Sequence, residues 1–268
     1  MKKMKYLKIR NQNYLTHKKF LKEFNIVFNE WYKSPYSCFK QIFFLEVSSI
    51  VVFFIQHLNF SPNLITFLYA LSSILALYFV ASGESTLILC GLAIFFLNGI
   101  LDWVDGLYAR IKIKTSFVGE LVDHWSGNIY NYSFIAAYAF YLFNKSSDIL
   151  YMNCLLIILF LRTIDIKIIY NQKIVDKVKK FKILSLVKKK TKKKKLKLSK
   201  KVALIISSFI KNLFDDRARS VDFLSLLILI DLYFFDVIFL KYIFLFIFLK
   251  YFLIFFSKVY LLLKNNYL

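Results

Sequence analysis

Glycine and proline are scarce, six and two residues among 268. So few turn-formers leave little material for the many tight connections of a β-barrel. The apolar stretches are also continuous, where barrel strands would alternate. The three cysteines, Cys38, Cys90 and Cys154, stand far apart in or near apolar stretches. That spacing fits neither a disulfide framework nor a metal site, so they read as small buried hydrophobes. Acid is scarce as well, 16 Asp and Glu against 38 Lys and Arg, for a formal net charge of +22. Residues 1–30 are basic and polar without a short apolar core, so no cleavable leader is expected there. The lysine runs lack the interleaved aromatics of a single-strand groove, and nothing resembles a DNA-reading module. Nucleic acid is not an expected partner.

What the chain does contain is apolar bulk, 59% hydrophobic and 19% aromatic residues. That composition, arranged in runs near twenty residues, points to an all-α, multi-pass integral membrane protein. Hydropathy and breaker residues predict six spans at about 62–82, 86–109, 117–143, 148–170, 221–239 and 242–263. Ser61 and Pro62 provide a cap and a first-turn proline for the first of them. Residues 41–60 are apolar too, but carry Glu46, Gln56 and His57. Counting them as a span would break the distribution of positive charge. Without them, the basic N-terminus, the loop with Arg110, Lys112 and Lys114, and the lysine-rich stretch 171–215 all fall on the cytoplasmic side. Residues 41–60 are therefore expected to lie along the surface as an interfacial helix. The organisation expected is a basic cytoplasmic region over 1–60 and a six-helix membrane domain over 61–268. Residues 171–215 form a cytoplasmic insertion in that domain, suited to contact with anionic membrane lipids. The membrane expected is the cell membrane, with the active site facing the cytoplasm.

Against this scarcity of acid, the stretch LDWVDGLYARIKIKTSFVGELVDHWSGN, residues 101–128, stands out. On a helix, Asp102, Asp105, Gly106, Ala109 and Arg110 share one face, and Gly119 and Asp123 share a face on the next helix. A hairpin between the two can bring the three carboxylates together near the membrane surface. Converging carboxylates repel one another and are costly to desolvate unless a cation joins them. Hard oxygen ligands suit Mg²⁺ or Mn²⁺, and Mg²⁺ typically combines a few carboxylates with substrate phosphates. The small residues on that face either let helices pack closely or open a slot for a flat nucleobase. A structural pairing of the aspartates with Arg110 and nearby lysines is the plain alternative, and a cation-transport site is another.

With Asp102, Asp105, Gly106, Ala109, Arg110, Gly119 and Asp123 in place, the stretch resembles the signature of the CDP-alcohol phosphatidyltransferase family, D-x2-D-G-x2-A-R-x8-G-x3-D-x3-D. Pro62, Asn63 and Thr66 resemble the P-N-x-x-T opening of that family's first span, and the similarity covers roughly residues 60–165. The resemblance implies six helices, a homodimer, and a cavity open to the cytoplasmic leaflet. It implies a CDP-linked donor, usually CDP-diacylglycerol, an alcohol acceptor, and release of CMP in phospholipid synthesis. By that resemblance Asp102, Asp105 and Asp123 hold one or two divalent ions. Gly106, Ala109 and Gly119 line the cytidine site, and Asn63, Thr66 and Arg110 are further donor contacts. The signature's last aspartate, the family's general base, is Gly127 here. His124 and Asp165 are the weak substitutes the sequence offers, with Asp222 and Asp231 on later helices, while Glu120 one turn before Asp123 reads as a ligand or a lysine partner. Arg162, Arg217 and Arg219 are candidates to hold an acceptor phosphate. A family member that binds CDP-lipid or metal without turnover, or supports a partner protein, is the second reading.

Overall fold

The structure is a computed structural model, and it describes residues 4–16, 35–58, 60–113, 116–163, 218–234, 236 and 238–266. The secondary structure described is helical: α1 (Tyr6–Thr16), α2 (Pro35–Ile55), α3 (Pro62–Ala81), α4 (Ser85–Ile111), α5 (Phe117–Ser146), α6 (Leu150–Thr163), α7 (Ala218–Tyr233) and α8 (Leu240–Asn266). Each of the six expected spans overlaps one of the helices α3 to α8 over the described residues. Three stretches among the described residues are long and apolar enough to cross a bilayer: Pro62–Ala81, Ser85–Ile111 and Leu240–Ser257. The chain is an integral membrane protein. The described part of α6, Leu150–Thr163, and the 16 residues of α7 are short against a hydrocarbon core of about 30 Å at about 1.5 Å per residue. In α5, Glu120, Asp123, His124 and Lys145 dilute an otherwise apolar 30-residue helix.

Two compact units emerge among the described residues: 4–141 with 218–236, and 142–163 with 238–266. In the second, Tyr151 meets Phe244 edge-on at 5.9 Å, and the Arg162 guanidinium lies 4.3 Å from the centre of the Tyr251 ring.

The first unit is organised around α3 and α4. Ser61 caps α3, its side chain accepting from the Leu64 N–H at 3.3 Å, and Pro62 follows in the first turn. Gly83, at φ 79°, makes the reversal into α4, a backbone conformation that glycine adopts freely. The two helices then approach closely. A Cβ at Gly91 would stand 2.7 Å from Val80 Cγ2 and 2.8 Å from the Ala76 carbonyl oxygen. Deeper in the pair, Ser72 donates to Asn98 Oδ1 at 2.6 Å, and Asn98 Nδ2 donates to Ser73 Oγ at 3.1 Å. Hydrogen bonds between helices away from water fix their relative register.

Helix α2 differs from the expected 41–60 element: it starts at Pro35 and ends at Ile55. The proline supplies a preorganised first turn upstream of the apolar run. Helix α1 was not expected at all. It docks onto α2 chiefly through polar contacts, with Asn13 Nδ2 bonding the Leu45 carbonyl at 3.1 Å and the Ser49 hydroxyl at 3.0 Å. Glu46 receives Arg10 Nε at 2.8 Å and the hydroxyls of Tyr6 and Tyr14 at 3.2 and 2.5 Å. The lysine-rich stretch 171–215 lies outside the described residues.

Candidate active site

The site is built on the last third of α4, whose two faces do different work. Val104, Leu107 and Tyr108 are buried in an apolar cluster with Ile9 of α1, Val52 of α2 and Ile65 of α3. Tyr108 donates its hydroxyl proton to the Leu58 carbonyl, and Lys112 Nζ bonds the Gln56 carbonyl at 2.9 Å. This back face anchors the helix end, so that the opposite face can carry unsatisfied chemistry.

That opposite face opens on a cavity of about 540 Å³. Asp102, Asp105, Gly106, Ala109 and Arg110 line it from α4. The start of α3 contributes Asn63 and Thr66. From the entry to α5 come Gly119, Glu120 and Asp123. The structure thus brings together around one cavity every residue expected to bind metal or donor.

Local structure explains how each is held. Thr66 Oγ1 donates to Asp105 Oδ2 at 2.6 Å and so fixes the buried carboxylate, which is 5% exposed. Asp102 and Asp123 are exposed to the cavity, and their side chains come within hydrogen-bonding reach of each other. Two carboxylates cannot share that contact as anions without a proton or a cation between them. Arg110 folds back over Gly106: a Cβ there would stand 3.3 Å from Nη1. Its Nε is buried with no hydrogen-bond partner among the described residues, which leaves a donor for an anionic ligand. At the α5 entry the Ser116 hydroxyl accepts from the Gly119 N–H at 3.0 Å. A Cβ on Gly119 would stand 3.4 Å from Asn63 Oδ1, so a small residue keeps α3 and α5 close here.

Among the described residues no three His, Cys, Asp or Glu side chains form a ready-made metal cluster. The donor set nevertheless fits a hard divalent ion: three aspartates and Glu120 around one cavity, with Asp102 and Asp123 in like-charge contact.

The residues considered for the proton fall elsewhere. His124 is exposed and does not line the cavity, and Asp165 lies outside the described residues. Asp222 is ion-paired with Lys40, and Asp231 accepts from the Tyr141 hydroxyl. Gly127 is half-buried, and a Cβ built on it meets nothing within 4 Å. Arg162 belongs to the second unit, against Tyr251, and Arg217 lies outside the described residues. Trp103 and Ser116 also line the cavity. Ser116 had a legible signal as a cap residue three positions before Gly119, whereas Trp103 had none.

The family model for CDP-alcohol phosphatidyltransferase matches residues 59–238. No curated protein and no solved structure matches the chain. The chain belongs to the CDP-alcohol phosphatidyltransferase family. Membership carries a general activity, transfer of a phosphatidyl-type group from a CDP-alcohol to an alcohol in phospholipid synthesis, and a general dependence on divalent metal.

Proposed function

We propose that this chain takes CDP-diacylglycerol as donor and transfers its phosphatidyl or a related phosphoalcohol group to an alcohol acceptor, releasing CMP. The observation that carries this reading is the gathering of Asp102, Asp105, Asp123, Gly106, Gly119 and Arg110 around one cavity. A Mg²⁺ or Mn²⁺ ion bound by Asp102, Asp105 and Asp123 supplies charge neutralisation for the pyrophosphate. The small side chains at Gly106, Ala109 and Gly119 leave room for the cytosine ring. Arg110 and Asn63 hold donor oxygens, and Thr66 keeps Asp105 oriented. The acceptor oxygen bonds to the β-phosphorus as the bond to the CMP phosphate breaks. The acceptor's proton passes to water, because position 127 has no side chain to take it.

The setting proposed is the cytoplasmic face of the cell membrane, with six spans, a homodimer and an anionic-lipid contact through 171–215. Positive charge on the N-terminus, the α4–α5 connection and 171–215 supports that orientation. The test is purified protein with Mg²⁺ or Mn²⁺, CDP-diacylglycerol and a panel of free and phosphorylated alcohols, scored for CMP release. Metal-dependent CMP release with one acceptor supports the transferase. CDP-lipid binding without CMP from any acceptor replaces it with the second reading, a binding protein that has lost turnover, which the glycine at 127 favours.

A further inference from the structure

Trp103 lines the cavity and has no part in the functional reading above. It is half-buried and stands directly after Asp102, on the side of α4 turned to α2. Its ring meets the buried Phe44 ring of α2 edge-on, with centres 6.2 Å apart. Phe44 is itself closely held. A Cβ on Gly99, one turn before Trp103, would stand 2.7 Å from Phe44 Cε2, so the glycine leaves the space that this ring fills. Beyond Phe44 comes the Phe43 ring, 6.0 Å away, and Phe43 is 38% exposed. Phe43 shares the exposed face of α2 with Ile50 and Phe54. Trp103, Phe44 and Phe43 thus form a continuous aromatic run from the cavity wall to the apolar outer surface of α2.

Position along α4 says which part of a ligand this wall meets. Arg110 and Lys112 mark the polar end of the helix. Trp103 lies seven residues before Arg110, roughly 10 Å toward the apolar end at about 1.5 Å per residue. It is level with Asp102, the innermost carboxylate that α4 gives to the cavity. A CDP-linked lipid with its base at the small residues near the mouth and its phosphates at the aspartates continues inward as glycerol and acyl chains. Those carbons must leave the phosphates along an apolar surface. A hydroxyl-rich acceptor would instead need hydrogen-bond partners, which Phe44 and Phe43 do not offer. We infer that Trp103 is a further substrate-binding residue. Its indole packs on the glycerol backbone and first acyl methylenes of the donor and directs a chain along Phe44 and Phe43 toward the lipid. An indole suits that level, with a broad apolar face and a polar edge. This rests on the functional reading above and adds to it a basis for preferring a lipid-linked over a water-soluble CDP-alcohol.

The experiment measures equilibrium binding of CDP-diacylglycerol and of CDP, with Mg²⁺, to full-length wild type, Trp103→Ala and Trp103→Phe. CDP carries the base and both phosphates without the glycerol and acyl carbons. In Trp103→Ala the affinity for CDP-diacylglycerol should fall roughly tenfold or more, as for loss of one large apolar contact, while CDP affinity holds. Trp103→Phe keeps a ring against Phe44 and should lose less. A second measurement decides alone where the alanine variant does not fold. CDP-diacylglycerol brominated near its ester groups should quench the tryptophan emission that wild type shows and Trp103→Phe lacks, and unbrominated CDP-diacylglycerol should reverse this. Equal CDP-diacylglycerol affinity in wild type and Trp103→Ala, or no quenching of the Trp103 emission, overturns the role of Trp103 and leaves the functional reading intact. Parallel loss of both ligands in Trp103→Ala also overturns it, by showing a general disturbance of the cavity. Failure of wild type to bind either ligand removes the functional reading, and the role of Trp103 with it.

Discussion

Glu46 and Asp102 sit on neighbouring helices of one unit, and their surroundings are opposite. Glu46 is met by the Arg10 guanidinium through Nε and Nη2 and by the hydroxyls of Tyr6 and Tyr14. Asp102 meets Asp123, while Asp105 receives the hydroxyl of Thr66. The ion pairs Arg10–Glu46 and Lys40–Asp222 leave the cavity aspartates out. A fully partnered carboxylate ties α1 to α2 and needs nothing more. A carboxylate facing another carboxylate stores repulsion that a bound cation relieves. Polar groups in this chain thus divide into those that close the fold and those that wait for a ligand, and the two sets are separated by the anchored back face of α4.

The largest effects should come from the waiting set. Asp→Asn at 102, 105 or 123 should reduce metal-dependent CMP release on the order of 10³-fold, because neutralisation of the pyrophosphate depends on them. In metal-free protein, Asp102→Asn and Asp123→Asn should leave the thermal midpoint unchanged or raise it, since each removes one of two like charges in contact. A lowered midpoint would mean that these carboxylates are structural, and the contrast with Glu46 would collapse.

Next in size is Gly127→Asp. A Cβ there meets nothing within 4 Å, so the fold should accept the substitution. A carboxylate one turn beyond Asp123 should raise CMP release roughly 10²-fold, the low end of what a general base contributes. The rate should become dependent on ionisation of the new group, which a pH–rate profile will display. No increase in turnover would show that the proton has another route.

Much of the site was legible because it is local. The face shared by Asp102, Asp105, Gly106, Ala109 and Arg110 follows from helical spacing alone, and the start of α3 follows from Ser61 and Pro62. What escaped was long-range. Helix α1 is not strongly apolar on any face, and its hold on α2 comes from Asn13 and Arg10 reaching residues more than thirty positions away. No local periodicity encodes such contacts. Membrane crossing is plain by length and composition for three of the expected spans, whereas the described stretches of α6 and α7 are short for a crossing.

The partnered set should yield smaller and purely structural effects. Glu46→Gln leaves Arg10 and the two tyrosines with a weaker acceptor. It should cost roughly 1–2 kcal/mol, discounted because the Arg10 and Glu46 side chains are 38% and 29% exposed. CMP release per folded molecule should stay near wild type. A loss comparable to that of Asp102→Asn would show that the clamp reaches the cavity chemistry.

The smallest effect is a pH dependence confined to this clamp. The Arg10 guanidinium, helped by Tyr14 and Tyr6 and opposed by partial burial, lowers the Glu46 carboxyl from its ordinary value of 4.5 to about 2. A carboxyl whose value is depressed by folding stabilises the ionised folded state. That contribution is fully present above the unfolded value and is lost as the pH falls through the folded one. Protection of the α1 amides from hydrogen exchange should therefore hold steady from neutrality to about pH 5, then decline toward pH 2 as Glu46 loses its advantage. In Glu46→Gln the protection should start lower and show no decline over that interval from this group. The α1 amides isolate the clamp from the cavity aspartates, which acid also protonates. A decline of equal size in the glutamine variant would assign the acid sensitivity to the cavity, and would mean that the two carboxylate regions are coupled through α4 after all.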